Sequence, residues 1–440
     1  MMDTVSREAI SRLPDEVLGK ILSFLPTKQA ASTSILSKEW RYLFRLVDNL
    51  DFDDKDKKSR SMFSFLADLL EIDLDDKESS YVFPESFKNF VDRTLSLQCG
   101  YPIKRLSLKI KAAKNNDCNK TCVGRWISNV VERGVLELDL MIKLPRFQCL
   151  FSLGKSPSVH GFLPPKLFAS KSLTKLSLGK HLYLEKLPSC VSLPSLKSLF
   201  LDMVFFECGE EGLSCVLLAG CPALEELSLR YSNFSEMPNN ITSPSLKRLS
   251  VDYGSPICFD DKSHVLSFDL PNLAYLDYTG FALGDYPIVT LDSLVEAKLD
   301  LQMTNMVIYP FVKLLPLFDN LVNLSLGSKN RKCWKLLVYL LKHSPKLETL
   351  VIEDLDGYTS VICMPLNNVK VLSVLGYRGT AQEFKQLKSF LWNFECLELL
   401  QVDVTEDDDG MLLKATEDLE RLCGASVSSK CHIKATRTRL

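Results

Sequence analysis

The chain has 440 residues, enough for two or three domains and a large core, with 46% hydrophobic and 25% charged residues. Lys and Arg number 53 against 55 Asp and Glu, a formal net charge of -2. That balance removes the basic excess needed for phosphate-backbone binding and argues against a nucleic-acid partner. No uncharged apolar stretch approaches the roughly 18 residues of a bilayer span, and residues 1–10 carry Asp3, Arg7 and Glu8 rather than a signal peptide. A soluble protein of the nucleus or cytoplasm is expected, with no membrane association, and its fourteen cysteines are read as reduced thiols.

The first fifty residues predict three short helices. Ser11 or Asp15 can cap the first, whose apolar positions Val17, Leu18, Ile21, Leu22 and Leu25 follow helical spacing up to Pro26. A second helix is expected over Thr27–Leu36, and a third after Ser37 with Trp40, Leu43 and Phe44 on one side. Three helices of this size bury little by themselves, so apolar surface left on them reads as a docking surface. The mixed-charge run from Asp51 to Ser61 reads as a linker or strand exit. Helical spacing returns at Phe87, Phe90, Val91 and Leu95.

Beyond that point an L-x-x-L-x-L phrase recurs. It stands as Leu173-Leu176-Leu178, Leu196-Leu199-Leu201, Leu224-Leu227-Leu229 and so on to Leu397-Leu400-Val402, with successive starts 21 to 28 residues apart. Earlier phrases begin at Ile103 and Val135. This is the period of leucine-rich repeats. In an extended strand the last two apolar residues share one side, and parallel stacking joins them into one core. The intervening residues return the chain; Glu211–Leu218 and Trp334–Lys342 have helical spacing for that purpose. The Asn that usually follows the phrase is mostly missing, so the turns need other hydrogen-bond partners.

Strand residues facing away from the leucines are the candidate recognition surface, and the residues expected to bind a target are Phe200, Glu226, Arg248, Tyr275 and Asp277. Nothing in the chain predicts catalysis, a cofactor or a metal site. The histidines, 160, 181, 264, 343 and 432, are far apart in sequence; Cys118 and Cys122 have no second ligand pair at finger spacing; no Gly-rich phosphate loop occurs.

Leu13-Pro14-Asp15-Glu16-Val17-Leu18, then Ile21-Leu22-Ser23-Phe24-Leu25-Pro26, then Ser34-Ile35-Leu36-Ser37-Lys38-Glu39-Trp40 together resemble the F-box, especially its plant form. Val369 to Val402, followed by Ala425 to Ile433, resembles the FBD region that follows the repeats of plant F-box proteins. The resemblance implies an α/β chain: a three-helix F-box (7–50), a linker and connecting helix (51–100), a leucine-rich-repeat solenoid with its strands on the concave face (101–365), and an FBD region that continues and caps the repeats (366–440). It further implies the substrate receptor of an SCF-type ubiquitin ligase, not itself an enzyme. The F-box would bind a Skp-type adaptor, and through it a cullin and a RING protein, while the repeats hold a target protein. Carried onto this sequence, the adaptor-facing positions are Leu13, Pro14, Leu18, Ile21, Leu22, Leu25 and Pro26, with Trp40 anchoring the F-box helices. Glu39, where relatives often carry Arg or Lys, and Phe44, where many carry Trp, depart from the pattern. The alternatives are a hormone- or small-molecule-sensing F-box receptor, and a repeat scaffold that no longer recruits the ligase.

Overall fold

The computed structural model describes residues 13–54, 85–111, 117–143, 163–184, 190–206, 217–231, 240–253, 267–281, 289–302, 318–327, 333–353, 355, 364–404, 416–422 and 431–437. The chain divides into two compact units, Met1–Leu224 and Glu225–Leu440.

The first unit opens with three helices, α1 (Asp15–Ser23), α2 (Thr27–Thr33) and α3 (Lys38–Leu43), followed by a 3-10 turn at Phe44–Leu46. Pro14 is the N-cap of α1, and Asp15 lies inside the first turn; its carboxylate favours the positive end of the helix dipole instead of capping it. Residue Ser11 lies outside the described residues. Helix α2 stops three residues earlier than expected, because residues 34–36 turn the chain toward Ser37, whose Oγ accepts from the Trp40 N–H and caps α3 (3.3 Å). Leu18, Leu22, Ala30, Leu43 and Phe44 form the small core. At Gly19 a Cβ would fall 2.6 Å from the Leu46 Cβ, so α1 and the turn approach as closely as they do only because the side chain is missing.

Strand β1 (Asn49–Asp53) follows directly and pairs in parallel with β2 (Arg105–Lys111). The parallel ladder therefore starts at Asn49 and runs into the beginning of the charged run expected to be a linker or strand exit. Leu50 and Phe52 are buried while Asp51 points out, an alternation that the surrounding aspartates hid from the sequence reading. Residues 55–61 of that charged run lie outside the described residues. Helix α4 (Glu85–Leu97) buries Phe87, Val91 and Leu95 as its spacing predicts. Helix α5 (Asp117–Glu132) then leads to β3 (Glu137–Lys143), β4 (Lys175–Leu184) and β5 (Ser198–Phe206). Arg125 grips the Asp92 carboxylate through two hydrogen bonds (2.8 and 2.9 Å), and the Trp126 Nε1–H donates to the same group (2.7 Å), fixing α5 on α4.

Three polar links join the helical unit to this ladder. The Asp51 N–H donates to Thr27 Oγ1 (2.7 Å), and the Asp48 N–H donates to Ser23 Oγ (3.1 Å). The fully buried Gln98, just past α4, donates from Nε2 to the carbonyl oxygens of Val47 (2.8 Å) and Phe44 (3.4 Å). The three-helix unit and the first strand are thus one packed body.

The second unit is a ladder of nine parallel strands among the described residues: β6 (Glu226–Tyr231), β8 (Arg248–Tyr253), β10 (Tyr275–Phe281), β12 (Glu296–Gln302), β13 (Asn323–Gly327), β14 (Thr349–Glu353), β15 (Val371–Tyr377), β16 (Leu399–Val404) and β17 (His432–Arg437). Three short strands, β7 (Asn240–Thr242), β9 (Ser267–Asp269) and β11 (Val289–Thr290), form a second parallel sheet in the return segments, which the sequence did not predict. The phrase leucines pair strand by strand, as in Leu249 with Leu276 and Leu324 with Leu350, and are buried. Each contributes roughly 1.5–3 kcal/mol of burial. The missing Asn of the phrase is replaced by one that precedes it. Nδ2 of Asn272, Asn320 and Asn368 donates to the carbonyl oxygens of Pro244, Asp292 and Pro345 of the preceding repeat, each at 2.8 Å. The predicted helix at Trp334–Lys342 is α6 (Cys333–His343), whereas most of Glu211–Leu218 lies outside the described residues.

Past residue 366 the ladder continues. Helix α7 (Ala381–Asn393) crosses from β15 to β16, started by a capping box in which Thr380 Oγ1 accepts from the Glu383 N–H (3.2 Å) and Glu383 Oε2 accepts from the Thr380 N–H (2.8 Å). Strand β17 is the last of the ladder, and residues 425–430 lie outside the described residues.

Gly19→Ala tests the close approach of α1. Helix propensity alone favours Ala by about 1 kcal/mol, but the clash with Leu46 costs about 1–3 kcal/mol. Chemical denaturation of the variant is expected to give lower stability, not higher.

Candidate functional site

Two surfaces carry the predicted residues. On the helical unit, the expected adaptor-facing set separates by the geometry of one amphipathic helix. Leu13, Pro14, Ile21, Leu25 and Pro26 are exposed, while Leu18 and Leu22 turn inward and are buried, Leu22 to 1%. Positions 18 and 22 lie about 100° round α1 from 17 and 21, on the side turned to the other helices, and they hold the helices together instead of facing an adaptor. Trp40 is half-buried, below the burial of Leu43 and Phe44 beside it. The sequence reading omitted Phe24 (86% exposed), Ile35 (85%) and Leu36 (70%), as well as Val17. Large apolar residues in short turns between helices, where no core can receive them, are the signal that was available. The exposed apolar residues are thus Val17 and Ile21 of α1, Leu13 before it, Phe24 and Leu25 after it, and Ile35 and Leu36 in the turn before α3.

On the ladders, register groups the outward residues into rows across the strands. Phe200, in the first unit, pairs with Ser177 and is half-buried. In the second unit Glu226, Arg248, Tyr275 and Glu296 occupy one row, Ser228, Ser250, Asp277 and Lys298 the next, and Arg230, Asp252, Thr279 and Asp300 a third. Four of the five predicted target-binding positions therefore share one face of one unit. The Arg248 guanidinium lies over the Tyr275 ring, 3.9 Å from its centroid, an arrangement worth about 0.5–1 kcal/mol at an exposed site. Burial raises the Tyr275 hydroxyl above the usual tyrosine range, and Asp277 and Glu296 push the same way. Burial also raises the Asp277 carboxyl; Lys298 opposes the shift, while Glu353 and Asp252 add to it. Lys298 reaches Glu353 two strands away (3.2 Å) and is raised by that hydrogen bond. Ser325, the register partner of Lys298 on β13, donates from Oγ to the same Glu353 carboxylate (3.4 Å), and at Gly327 a Cβ would meet Asp300 Cγ at 3.0 Å. Neither Gly327 nor Glu353 was singled out from sequence, because their roles depend on a pairing register that spans three repeats.

Among the described residues no group of three or more His, Cys, Asp or Glu could hold a metal ion, and no helix is long and apolar enough to cross a membrane. Of the histidines, His160 and His264 lie outside the described residues, and the His343 ring stacks on Tyr339 (3.8 Å between centroids).

Comparison with known proteins agrees with this layout. The F-box domain family matches residues 10–52, and the family described as FBD-associated F-box protein At5g56370, LRR repeats, matches residues 123–352. The chain is 53% identical to F-box/LRR-repeat protein At3g60040 of Arabidopsis thaliana, covering 99% of each chain. It is 48% identical to F-box/LRR-repeat protein At1g06630 of the same plant, covering 92% of this chain and 99% of the relative, and 35% identical to F-box/LRR-repeat protein At2g42730, covering 98% of each. The chain belongs to the plant F-box/LRR-repeat family. Proteins that join an F-box to leucine-rich repeats generally serve as substrate-recognition subunits of SCF ligases, and F-box domains in general bind Skp-type adaptors. The exposed α1 patch lies in the F-box of this family member, and the rows of outward residues lie on its repeats.

The cysteines of the repeats give a direct check on burial. Cys221 is enclosed, its Sγ–H donating to the Leu217 carbonyl (3.4 Å), and burial pushes its thiol up to about 12; Cys99, Cys190 and Cys396 are exposed free thiols. In native alkylation at pH 8 read by mass spectrometry, the three exposed thiols are expected to react at least tenfold faster than Cys221, which reacts only after unfolding.

Proposed function

We propose that this protein is the target-recognition subunit of an SCF-type ubiquitin ligase, binding a Skp-type adaptor through the F-box and a target protein through its repeats. The observation that carries the reading is the apolar patch of Leu13, Val17, Phe24, Ile21, Leu25, Ile35 and Leu36 on a helical unit too small to need or hide it. An exposed surface of that composition loses its contact with water only against a partner. Leu13, Pro14, Ile21, Leu25 and Pro26 are adaptor contacts, Val17, Phe24, Ile35 and Leu36 extend them, and Leu18, Leu22 and Trp40 keep the helices in position to present them.

The mechanism needs no reactive group on this chain. The adaptor leads to a cullin and a RING protein, which bring a conjugating enzyme carrying the ubiquitin thioester. A target held on the repeats then presents its lysine at high effective concentration, and the rate gain comes from proximity. Two features of the chain serve this. The Thr27, Ser23 and Gln98 links hold the F-box on the first strand of the ladder, so the adaptor and the first repeats move together. The outward rows of the second unit, with Glu226, Arg248, Tyr275 and Asp277, offer both charge signs and an aromatic ring, and Phe200 adds an apolar group on the first unit. The protein works in the nucleus or cytoplasm, where such ligases act, and is itself no enzyme.

Co-purification with a Skp-type adaptor tests this. The intact chain is expected to retain the adaptor, and an Ile21→Asp, Ile35→Asp variant to lose it more than tenfold with an unchanged thermal midpoint, since both side chains already face water. Failure of a folded intact chain to bind any Skp-type adaptor would sink the proposal.

A further inference from the structure

The third outward row of the second unit continues past β12. Register carries it from Asp252 through Thr279, Asp300 and Gly327 to Glu353 and Leu375. Acids stand on every second strand, with a small residue between each pair. Neighbouring strands are about 4.8 Å apart, so the carboxylates recur about every 10 Å. An extended chain advances about 3.3 Å per residue, and in the polyproline II conformation every third side chain returns to the same side. Cations three positions apart on such a segment match the row.

The charge of the whole face points the same way. The outward positions of strands β6 to β14 hold six carboxylates, Glu226, Asp252, Asp277, Glu296, Asp300 and Glu353, against the three cations Arg230, Arg248 and Lys298. Arg248 is turned onto Tyr275. Asp252 has an exposed ion pair with Arg230 (3.3 Å) and Glu353 one with Lys298 (3.2 Å). Such pairs hold little energy and exchange readily for a better-placed cation. Asp300 is half-buried, and its Oδ1, shielded from water and without a hydrogen-bond partner, is packed against Gly327, where a Cβ would meet it at 3.0 Å. The part of this carboxylate that faces solvent is open to a charge-assisted hydrogen bond from an incoming donor. The neighbouring Asp277, held above the usual carboxylate range by burial with Glu353 and Asp252 adding to it, is a carboxylate that an added cation would relieve. Leu375, half-buried at the end of the row, offers an apolar contact.

We propose that this row receives an extended segment of the target protein carrying Lys or Arg at positions three apart, followed by an apolar residue over Leu375. The proposal rests on the reading of the repeats as the target-binding part, and it names the chemistry of the target. A flexible basic segment suits the row because its cations recur at the spacing of the carboxylates and meet a face with an excess of acids.

The test is selection of a random twelve-residue peptide library on the full chain, on an Asp300→Asn, Glu353→Gln variant, and on an Asp319→Asn, Glu395→Gln variant whose changes lie in exposed turns off the face. On the intact chain, Lys or Arg at positions i and i+3 is expected to be enriched at least threefold over the input. The enrichment should vanish on the first variant and persist on the second, with all three proteins unfolding at the same temperature. Absence of basic enrichment, enrichment that survives the first variant, or equal loss on both variants would each overturn the proposal. Adaptor co-purification reports separately on the ligase reading: basic enrichment without adaptor binding leaves the row as a binding site and removes the ligase role, and adaptor binding without enrichment removes the row.

Discussion

The main ladder of this protein depends on the pairing of apolar residues, most of them leucines, across a parallel register. A single repeat has one short strand and a return segment, and it cannot remove its own two leucines from water. Only when Leu249 lies beside Leu276, and Leu276 beside Ala297, does each become enclosed. The same register that closes the core assigns the alternate residues to the opposite face. Core and outward face are therefore two consequences of one spacing, and a shift by one residue would exchange them.

The helical unit solves a different problem. Its core of Leu18, Leu22, Ala30, Leu43 and Phe44 is small, and much of its apolar surface faces outward. Stability comes from being fastened to β1 and α4. Backbone donors of Asp48 and Asp51 end on the hydroxyls of Ser23 and Thr27, and the buried Gln98 amide closes on the turn after α3. These bonds let the unit keep an apolar face open without needing it for its own folding. The F-box of this family member is thus held by the repeats, and its free face is left for a partner.

Charge on the second unit follows the same economy. Side chains on neighbouring strands meet only because residues some 22 to 28 positions apart are brought into register, as Arg248 is with Tyr275 and Arg230 with Asp252. Lys298 and Glu353 are farther apart still and meet across the intervening strand β13. A charge that looks ordinary in its own repeat acquires meaning from the row in which it stands.

The sequence by itself determined the repeats, the three helices and the family, because leucine spacing and the L-P, I-L-x-x-L-P and S-K-x-W segments are local features that need no partner to be read. It determined which strand residues face outward, since alternation is a property of any extended chain. It did not determine the inward turn of Leu18 and Leu22, which follows from how α1 lies on α3 and the Leu46 turn, nor the strand at Asn49–Asp53, whose two apolar residues are visible only once β2 lies beside them. The small sheet of β7, β9 and β11 was equally hidden, because strands of two or three residues carry no period. Tertiary structure alone decided the acid row from Asp252 to Glu353, for a physical reason: its successive acids are about fifty residues apart along the chain, and only parallel stacking brings them into one row.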